Sequence, residues 1–343
     1  DAVTLNTVGG SSGVVTLRDA NTTEGFVTVN IATSGSTAST IKSLDAGTSN
    51  TTVNVTGDQA LTITDALASN VKTLDASKAS GAITASVVAA STLVVKGGSA
   101  ITDVLGLTVD SSVTSGAVIT GFETVNLNTT GTGTIDSGLF TGATAINVTS
   151  DAATNTSLTI QNAAAGQALN FVGSKSTLAN QTFDPVTQSL KTNNTASDGL
   201  AITINNGGTA TTKTATIGAI NVGNYEVVTL TAGEFGTGLT TAGITTGALT
   251  LSATAASSIT INASTNLTIG GLDAVTASLA AVNVGGSTGA VNLGTIANTG
   301  AMTYTGSQGV DTLTTGIAAA ATLQTFNLGT GDDKITVSVP NGT

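Results

Sequence analysis

Short runs in which aliphatic residues alternate with threonine or asparagine recur along the whole chain of 343 residues. Side chains alternate between the two faces of a β-strand, so each run predicts a strand with its aliphatic residues on one face. Stretches rich in Gly, Asn, Asp and Ser separate the runs and are typical of turns. Representative runs lie at residues 27–31, 53–55, 61–63, 125–127, 202–204 and 259–261.

A looser repeat is superimposed on these runs. The segment KSLDA at 42–46 recurs as KTLDA at 72–76, and related forms begin at Phe122, Tyr225 and Gln324. One such strand in each turn of the chain, stacked on its neighbours, gives a solenoid. The uneven intervals predict an all-β fold: an elongated parallel β-solenoid, similar to a β-helix or β-roll, with irregular turn lengths. Asn, Asp and Thr side chains are expected to form a ladder along it.

A few short helices and one boundary are predicted within this pattern. Residues 65–71 and 273–279 follow helix-capping or Gly-rich signals, which favour two helical turns in each. Residues 180–199 are polar, contain Pro185 and lack aliphatic alternation. We therefore expect a solenoid segment at 1–179, a polar loop or linker at 180–199 and a second solenoid segment at 200–343. A single continuous solenoid with one long inserted loop is the alternative.

The composition supports a core of small aliphatic side chains. Hydrophobic residues make up 40% of the chain but aromatic residues only 3%, so Val, Ile, Leu and Ala must fill the interior. Such residues suit stacked parallel sheets. Threonine is the commonest residue type, and its β-branched, half-polar side chain suits the outer face of a strand.

Several functional classes are disfavoured by charge and residue usage. The net charge of −11 and only 9 Lys and Arg residues argue against nucleic-acid binding. The absence of Cys and His excludes disulfides, zinc sites built on these residues and the usual nucleophilic triads. No apolar run is long enough to predict a transmembrane helix. We do not expect an enzyme.

Two segments near residue 320 carry the chemistry of a cation site. GSQGVDTL at 306–313 and LGTGDDKI at 328–335 fit the calcium-binding pattern G-G-x-G-x-D-x-U, apart from Ser307 and Leu328. Calcium prefers carboxylate and carbonyl oxygens, and glycines permit the tight turns that present them. The alternative is two Gly/Asp turns between strands. The candidate ligand-forming residues are Gly306, Gly309, Asp311, Gly329, Gly331, Asp332 and Asp333.

Asp45 and Asp75, in the KSLDA and KTLDA repeats, have two interpretations. Carboxylates on stacked turns are able to bind calcium, but an aspartate at the end of a strand commonly forms an Asx turn. We favour the Asx turns.

Two phrases resemble the RTX-type bacterial surface-layer (S-layer) proteins. They are LDAS at 74–77 followed by SGAIT at 80–84, and GTGDDKI at 329–335. The resemblance implies secretion by a type I system, folding driven by calcium, and assembly into a two-dimensional lattice on the cell surface. The expected partners are copies of the same chain and a cell-surface polysaccharide.

Two other functions share this fold class. An RTX-like adhesin or fibre repeat region would bind a surface or glycan as a monomer. A tailspike-like or lyase-like β-helix would need a cleft in which carboxylates converge.

Overall fold

The computed structural model describes residues 1–18, 23–149, 156–173, 180–192, 197–205, 214–233, 243–253, 255, 257–274, 279–297, 300–316 and 323–338. The chain divides into two compact units, Asp1–Asn147 and Val148–Thr343. Both are parallel β-solenoids in which most consecutive strands alternate between two sheets. We use the word coil for one turn of the chain around such a solenoid. The predicted all-β, solenoid-like fold is confirmed.

The N-terminal unit has one sheet in the order β1-β3-β5-β7-β9-β11-β14 and another that begins β2-β4-β6-β8-β10-β12. Neighbouring strands in these two orders pair in parallel. A 3₁₀ turn lies at Ser137–Leu139, and β15 (Ala145–Thr149) spans the boundary between the units. The other strands are β1 (Ala2–Thr7), β2 (Gly10–Thr16), β3 (Thr28–Thr33), β4 (Ser39–Asp45), β5 (Thr52–Gly57), β6 (Leu61–Ile63), β7 (Thr73–Ala79), β8 (Ile83–Val88), β9 (Val94–Lys96), β10 (Val104–Val109), β11 (Val118–Thr120), β12 (Thr124–Thr129), β13 (Gly133–Asp136) and β14 (Phe140–Thr141).

The C-terminal unit has the same construction, with sheets ordered β17-β20-β23-β25-β27-β29-β31 and β16-β19-β22-β24-β26-β28-β30-β32. The short strands β18 and β21 pair with each other, and β21 also pairs with β24. The strands are β16 (Leu158–Ala163), β17 (Ala168–Val172), β18 (Asn180–Phe183), β19 (Val186–Leu190), β20 (Gly199–Asn205), β21 (Thr214–Ile217), β22 (Ile220–Gly223), β23 (Val227–Gly233), β24 (Gly243–Ser252), β25 (Ser257–Ala263), β26 (Asn266–Ala274), β27 (Leu279–Asn283), β28 (Val291–Ala297), β29 (Met302–Thr305), β30 (Asp311–Gly316), β31 (Gln324–Asn327) and β32 (Lys334–Ser338).

The core consists of columns of aliphatic side chains that stack from coil to coil. Val29 pairs with Val53, which pairs with Leu74, and all three are fully buried. Removing such side chains from water stabilises the fold by about 1.5–3 kcal/mol each. Their Thr and Asn neighbours point outward, as the alternation predicts.

The predicted ladder is present as hydrogen bonds between amide side chains in successive coils. Asn54 Nδ2 donates to Asn30 Oδ1 over 2.9 Å, and Asn147 Nδ2 donates to Asn126 Oδ1 over 2.8 Å. The sequence separations of these pairs are 24 and 21 residues, and the Asn221–Thr187 contact spans 34 residues. The turn lengths are therefore irregular, as expected.

The prediction of short helices is wrong for residues 65–71, which form a corner without helical structure. Backbone N–H groups here donate to neighbouring coils: Asp65 to the Lys42 carbonyl over 2.8 Å, and Leu67 to the Ser86 carbonyl over 2.8 Å. These hydrogen bonds replace the ones that a helix would form. Backbone N–H groups at a corner need acceptors, and the carbonyl groups of adjacent coils supply them. In the second segment Asp273 and Ala274 belong to β26, while residues 275–278 lie outside the described part.

The segment predicted as a polar loop, 180–199, contains the strands β18 and β19. Val186, Gln188 and Leu190 alternate inward along β19 and are buried. The sequence does not show aliphatic alternation here, because the middle one of the three inward residues is a glutamine. The division between the compact units lies earlier in the chain, between Asn147 and Val148.

Candidate functional site

The two Gly/Asp turns of the candidate cation site lie one above the other in successive coils. Thr312 pairs with Lys334 and Leu313 with Ile335, so Asp311 stands in register with Asp333. The backbone N–H of Asp311 donates to Asp333 Oδ1 over 2.9 Å, across a separation of 22 residues. That spacing does not fit a tandem nine-residue repeat, but it equals the length of one coil here.

Asp311 is a buried acceptor within its own turn. Its side chain is 2% exposed, and its two carboxylate oxygens accept hydrogen bonds from Ser307, from the N–H over 2.7 Å and from the hydroxyl over 2.9 Å. The Ser307 hydroxyl in turn accepts the N–H of Gly309 over 3.0 Å. Ser307, which departs from the calcium-binding pattern, therefore ties the Asp311 carboxylate into the turn.

The glycines of the site allow successive coils to approach closely. A Cβ on Gly306 would lie 2.0 Å from the Leu328 carbonyl oxygen, and one on Gly331 would lie 2.5 Å from the Gly309 carbonyl oxygen. Gly329 and Gly331 also have φ of +80° and +133°, which favour glycine. Packing between coils accounts for these glycines without a bound ion.

A third turn of the same kind was missed by sequence reasoning. Residues 285–289 read GGSTG, and Val291 after them pairs with Asp311 in the next coil. A Cβ on Gly309 would lie 2.8 Å from the Gly289 carbonyl oxygen, so these turns are also in contact. The sequence signal is the pattern G-G-x-x-G, which does not match the calcium-binding pattern because valine stands where the other two turns have aspartate.

The donor set fits calcium only in part. Calcium takes six to eight oxygen ligands, and the side chains of Asp332, which is exposed, and Asp333, which is half-buried, offer the right chemistry. Asp311 already accepts two hydrogen bonds from Ser307. Among the described residues, no three His, Cys, Asp or Glu side chains gather as a metal-binding group. The residues that fit calcium best are therefore Asp332 and Asp333, with carbonyl groups of the glycine turns.

Tyr304 lies beneath this site and is fully buried. Burial raises the pKa of its hydroxyl far above the ordinary value, and the Asp311 carboxylate raises that pKa further. The hydroxyl finds no well-formed hydrogen bond among the described residues. Tyr304 is therefore neutral and serves as a core residue, in ring contact with Phe326 in the next coil.

Two further acidic pairs repeat the bond between Asp333 and Asp311. The backbone N–H of Asp103 donates to Glu123 Oε2 over 2.9 Å, and that of Asp198 donates to Glu226 Oε2 over 3.1 Å. In each pair, an acidic side chain just before a strand accepts the N–H of the equivalent residue in the preceding coil. This is a general structural use of carboxylates in the fold, and it was not predicted.

Asp103 extends this arrangement by one coil. It is fully buried and accepts the N–H groups of Ile83 over 2.8 Å and Gly98 over 2.6 Å. Burial raises the pKa of Asp103, and the nearby Glu123 charge adds to the increase. The sequence signal for this hydrogen bond between coils is an acidic residue that stands directly before an alternating strand.

Asp45 and Asp75 form the Asx turns that the sequence favoured. Asp45 Oδ1 accepts the N–H of Gly47 over 3.3 Å, and Asp75 Oδ1 accepts that of Ser77 over 3.0 Å. Each carboxylate also contacts a basic side chain, with Arg18 at 2.7 Å from Asp45 and Lys96 at 3.2 Å from Asp75. The hydrogen bond from Arg18 lowers the pKa of Asp45, and that from the Ser77 hydroxyl lowers the pKa of Asp75.

A second candidate surface is the outer face of β23, β25, β27, β29 and β31, which we call the neutral face. Strand register aligns its side chains in two rows of uncharged residues. By contrast, the outer face of β26, β28, β30 and β32 includes Asp273 and Lys334. The central row of the neutral face is Thr229, Thr260, Asn283, Thr305 and Asn327; the flanking row is Val227, Ser258, Ala281, Thr303 and Thr325.

Comparisons with known protein families, curated proteins and solved structures found no match for this chain. A search of the described residues for a helix long and apolar enough to span a lipid bilayer also found none.

Proposed function

We propose that this chain is a structural protein of a bacterial surface, whose copies assemble into a calcium-dependent two-dimensional layer. The observation that carries the proposal is the use of polar side chains in both units. Carboxylates and amides, such as Asp103, Glu226 and Asn54, hold one coil to the next. Side chains engaged in this way make a rigid scaffold, as a layer protein needs.

The stacked acidic turns support the calcium dependence. Asp332 and Asp333 place two carboxylates next to each other in sequence, at a turn whose glycines have backbone conformations that present carbonyl oxygens. A bound calcium ion would neutralise these carboxylates and cross-link oxygens of the turn. The Asp333 carboxylate already joins two coils through Asp311, so an ion there would strengthen the contact between coils.

Thermal melting in calcium and in EDTA tests this proposal when combined with two variants. Asp332→Asn with Asp333→Asn removes both charges but keeps an acceptor for the Asp311 N–H. We expect calcium to raise the melting temperature of the native chain and not that of the double variant. At a calcium concentration about 100 times Kd the stabilisation would be about 2.7 kcal/mol.

The control is Asp311→Asn, because it affects a carboxylate that is engaged by Ser307. Its carboxamide keeps an acceptor for the Ser307 N–H but is a weaker acceptor than a carboxylate, so we expect destabilisation in EDTA and in calcium alike, with the calcium response retained. Identical melting of the native chain with and without calcium would show that these turns are structural only.

The adhesin alternative is favoured by one observation, the neutral face. Uncharged hydroxyl and amide groups in regular rows suit contact with a neutral glycan. Under this alternative the chain would stay monomeric in calcium and bind a polysaccharide through that face.

A further inference from the structure

We propose that two copies of this chain meet through their neutral faces in a two-fold, face-to-face contact. The inference rests on the proposed structural function and specifies where the copies touch.

The first argument is electrostatic. With a net charge of −11, two copies repel each other, and like charges brought together in a contact cost several kcal/mol. The two rows of the neutral face carry no such charges to the contact.

The second argument is chemical self-complementarity. Threonine hydroxyls and asparagine amides each donate and accept hydrogen bonds, so the same surface is able to pair with itself. A two-fold contact uses the same patch on both partners, so it joins copies in pairs and leaves their other surfaces for the remaining contacts of the layer. Val227, which is 38% exposed, and the threonine methyl groups add apolar area to the contact.

The third argument is that the side chains of the neutral face are held in place before a partner binds. The central row, Thr229 to Asn327, runs across five hydrogen-bonded strands that are about 4.8 Å apart. β-Branched side chains such as Thr260 and Thr305 have few rotamers, so they lose little conformational entropy in a contact. The surface is thus already organised before a partner binds.

Isosteric Asn→Asp changes test the contact, because they add charge without adding atoms. The test variant is Asn283→Asp with Asn327→Asp, on the neutral face; the matched control is Asn266→Asp with Asn292→Asp, on the other sheet. All four residues are exposed. Asn283 and Asn292 are closely matched, since each Oδ1 accepts the N–H of the residue two positions on, at 2.9 and 3.0 Å.

The measurement is sedimentation equilibrium of the native chain and both variants, in calcium, over a range of protein concentrations below those at which sheets form. We expect the test variant to dimerise on the order of 100-fold more weakly than the native chain, because four new carboxylates would meet in the contact. The control should stay within about threefold of the native chain. High salt should restore part of the lost association, since it screens charge.

The outcomes separate this contact from the proposed function. If the native chain associates and both variants associate equally well, the neutral face is not the contact, although the layer proposal stands. If the native chain is monomeric at every concentration, both proposals fail. Retention of that monomer on a neutral polysaccharide matrix, lost in the test variant, would assign the face to a glycan instead.

Discussion

At the scale of single residues, several acidic side chains in this fold, including Asp103, Glu226 and Asp333, accept hydrogen bonds from a neighbouring coil. Asp103 and Glu226 are buried, and each carboxylate accepts a backbone N–H from a neighbouring coil. Asp311 is also buried, and its own backbone N–H donates to the Asp333 carboxylate. Burial disfavours a charged carboxylate, while N–H donors favour it. For Asp103 burial has the larger effect, since the pKa is raised. Ionised Asp103 therefore costs stability at neutral pH.

The substitution Glu123→Gln tests this electrostatic cost. The glutamine oxygen is able to keep the hydrogen bond from the Asp103 N–H, while the negative charge beside Asp103 disappears. We expect a stabilisation of up to about 1 kcal/mol at neutral pH, measured by urea unfolding.

The sign of the pH dependence follows from the raised pKa of Asp103. Asp103 loses its proton in the unfolded chain near pH 3.8 and in the folded chain at a higher pH, so stability falls as the pH rises through that window. Below it, Asp103 is neutral and the benefit of Glu123→Gln should vanish. A benefit that is the same at all pH values would contradict this account.

Gly306 and Gly316 provide a matched pair for the role of close packing between coils. A Cβ at Gly306 would meet the Leu328 carbonyl oxygen at 2.0 Å, whereas one at Gly316 would meet no atom of the described residues within 4 Å. We expect Gly306→Ala to lower the free energy of unfolding by about 1–3 kcal/mol. Gly316→Ala should be neutral or slightly stabilising, as alanine restricts the unfolded chain. Equal effects in thermal or urea unfolding would argue against close packing at Gly306.

At the scale of elements, β19 places a buried polar side chain in the core of the C-terminal unit. Gln188 is fully buried, its Nε2 donates to the Tyr225 hydroxyl over 3.2 Å, and its Oε1 has no partner among the described residues. Burial also raises the pKa of Tyr225, so this hydroxyl remains protonated. A polar pair thus occupies a place that aliphatic residues fill elsewhere.

A double-mutant cycle on this pair has a clear expected result. Tyr225→Phe or Gln188→Leu alone should destabilise the protein by about 1–3 kcal/mol, because each leaves the other polar group buried without its partner. The double variant should recover at least half of the summed loss. Simple additivity in urea unfolding would show that the two side chains do not act as a pair.

The strands were predictable where aliphatic residues alternate strictly, as at residues 53–55 and 259–261, because that period depends only on strand geometry. The corner at 65–71 was not predictable, since its backbone donates to coils distant in sequence. The hydrogen bonds from backbone N–H groups to acidic side chains of the next coil were not predictable for the same reason. Glu123 and Asp103 are 20 residues apart, and they meet only because one coil has that length. The stacking of Asp311 on Asp333 likewise depended on a coil of 22 residues.

At the scale of the whole molecule, the net charge opposes association of copies, while the neutral face favours it. A net charge of −11 keeps copies apart, while the neutral face offers a surface on which they are able to meet. Calcium would reduce the repulsion locally at Asp332 and Asp333. Assembly is therefore expected to require the ion, and to weaken when it is removed.

Electron microscopy of one sample, first in calcium and then after EDTA, tests the central claim most directly. The account predicts ordered sheets in calcium, their loss in EDTA and their return when calcium is restored. Single, unassembled particles in both conditions, at every protein concentration tried, would contradict it.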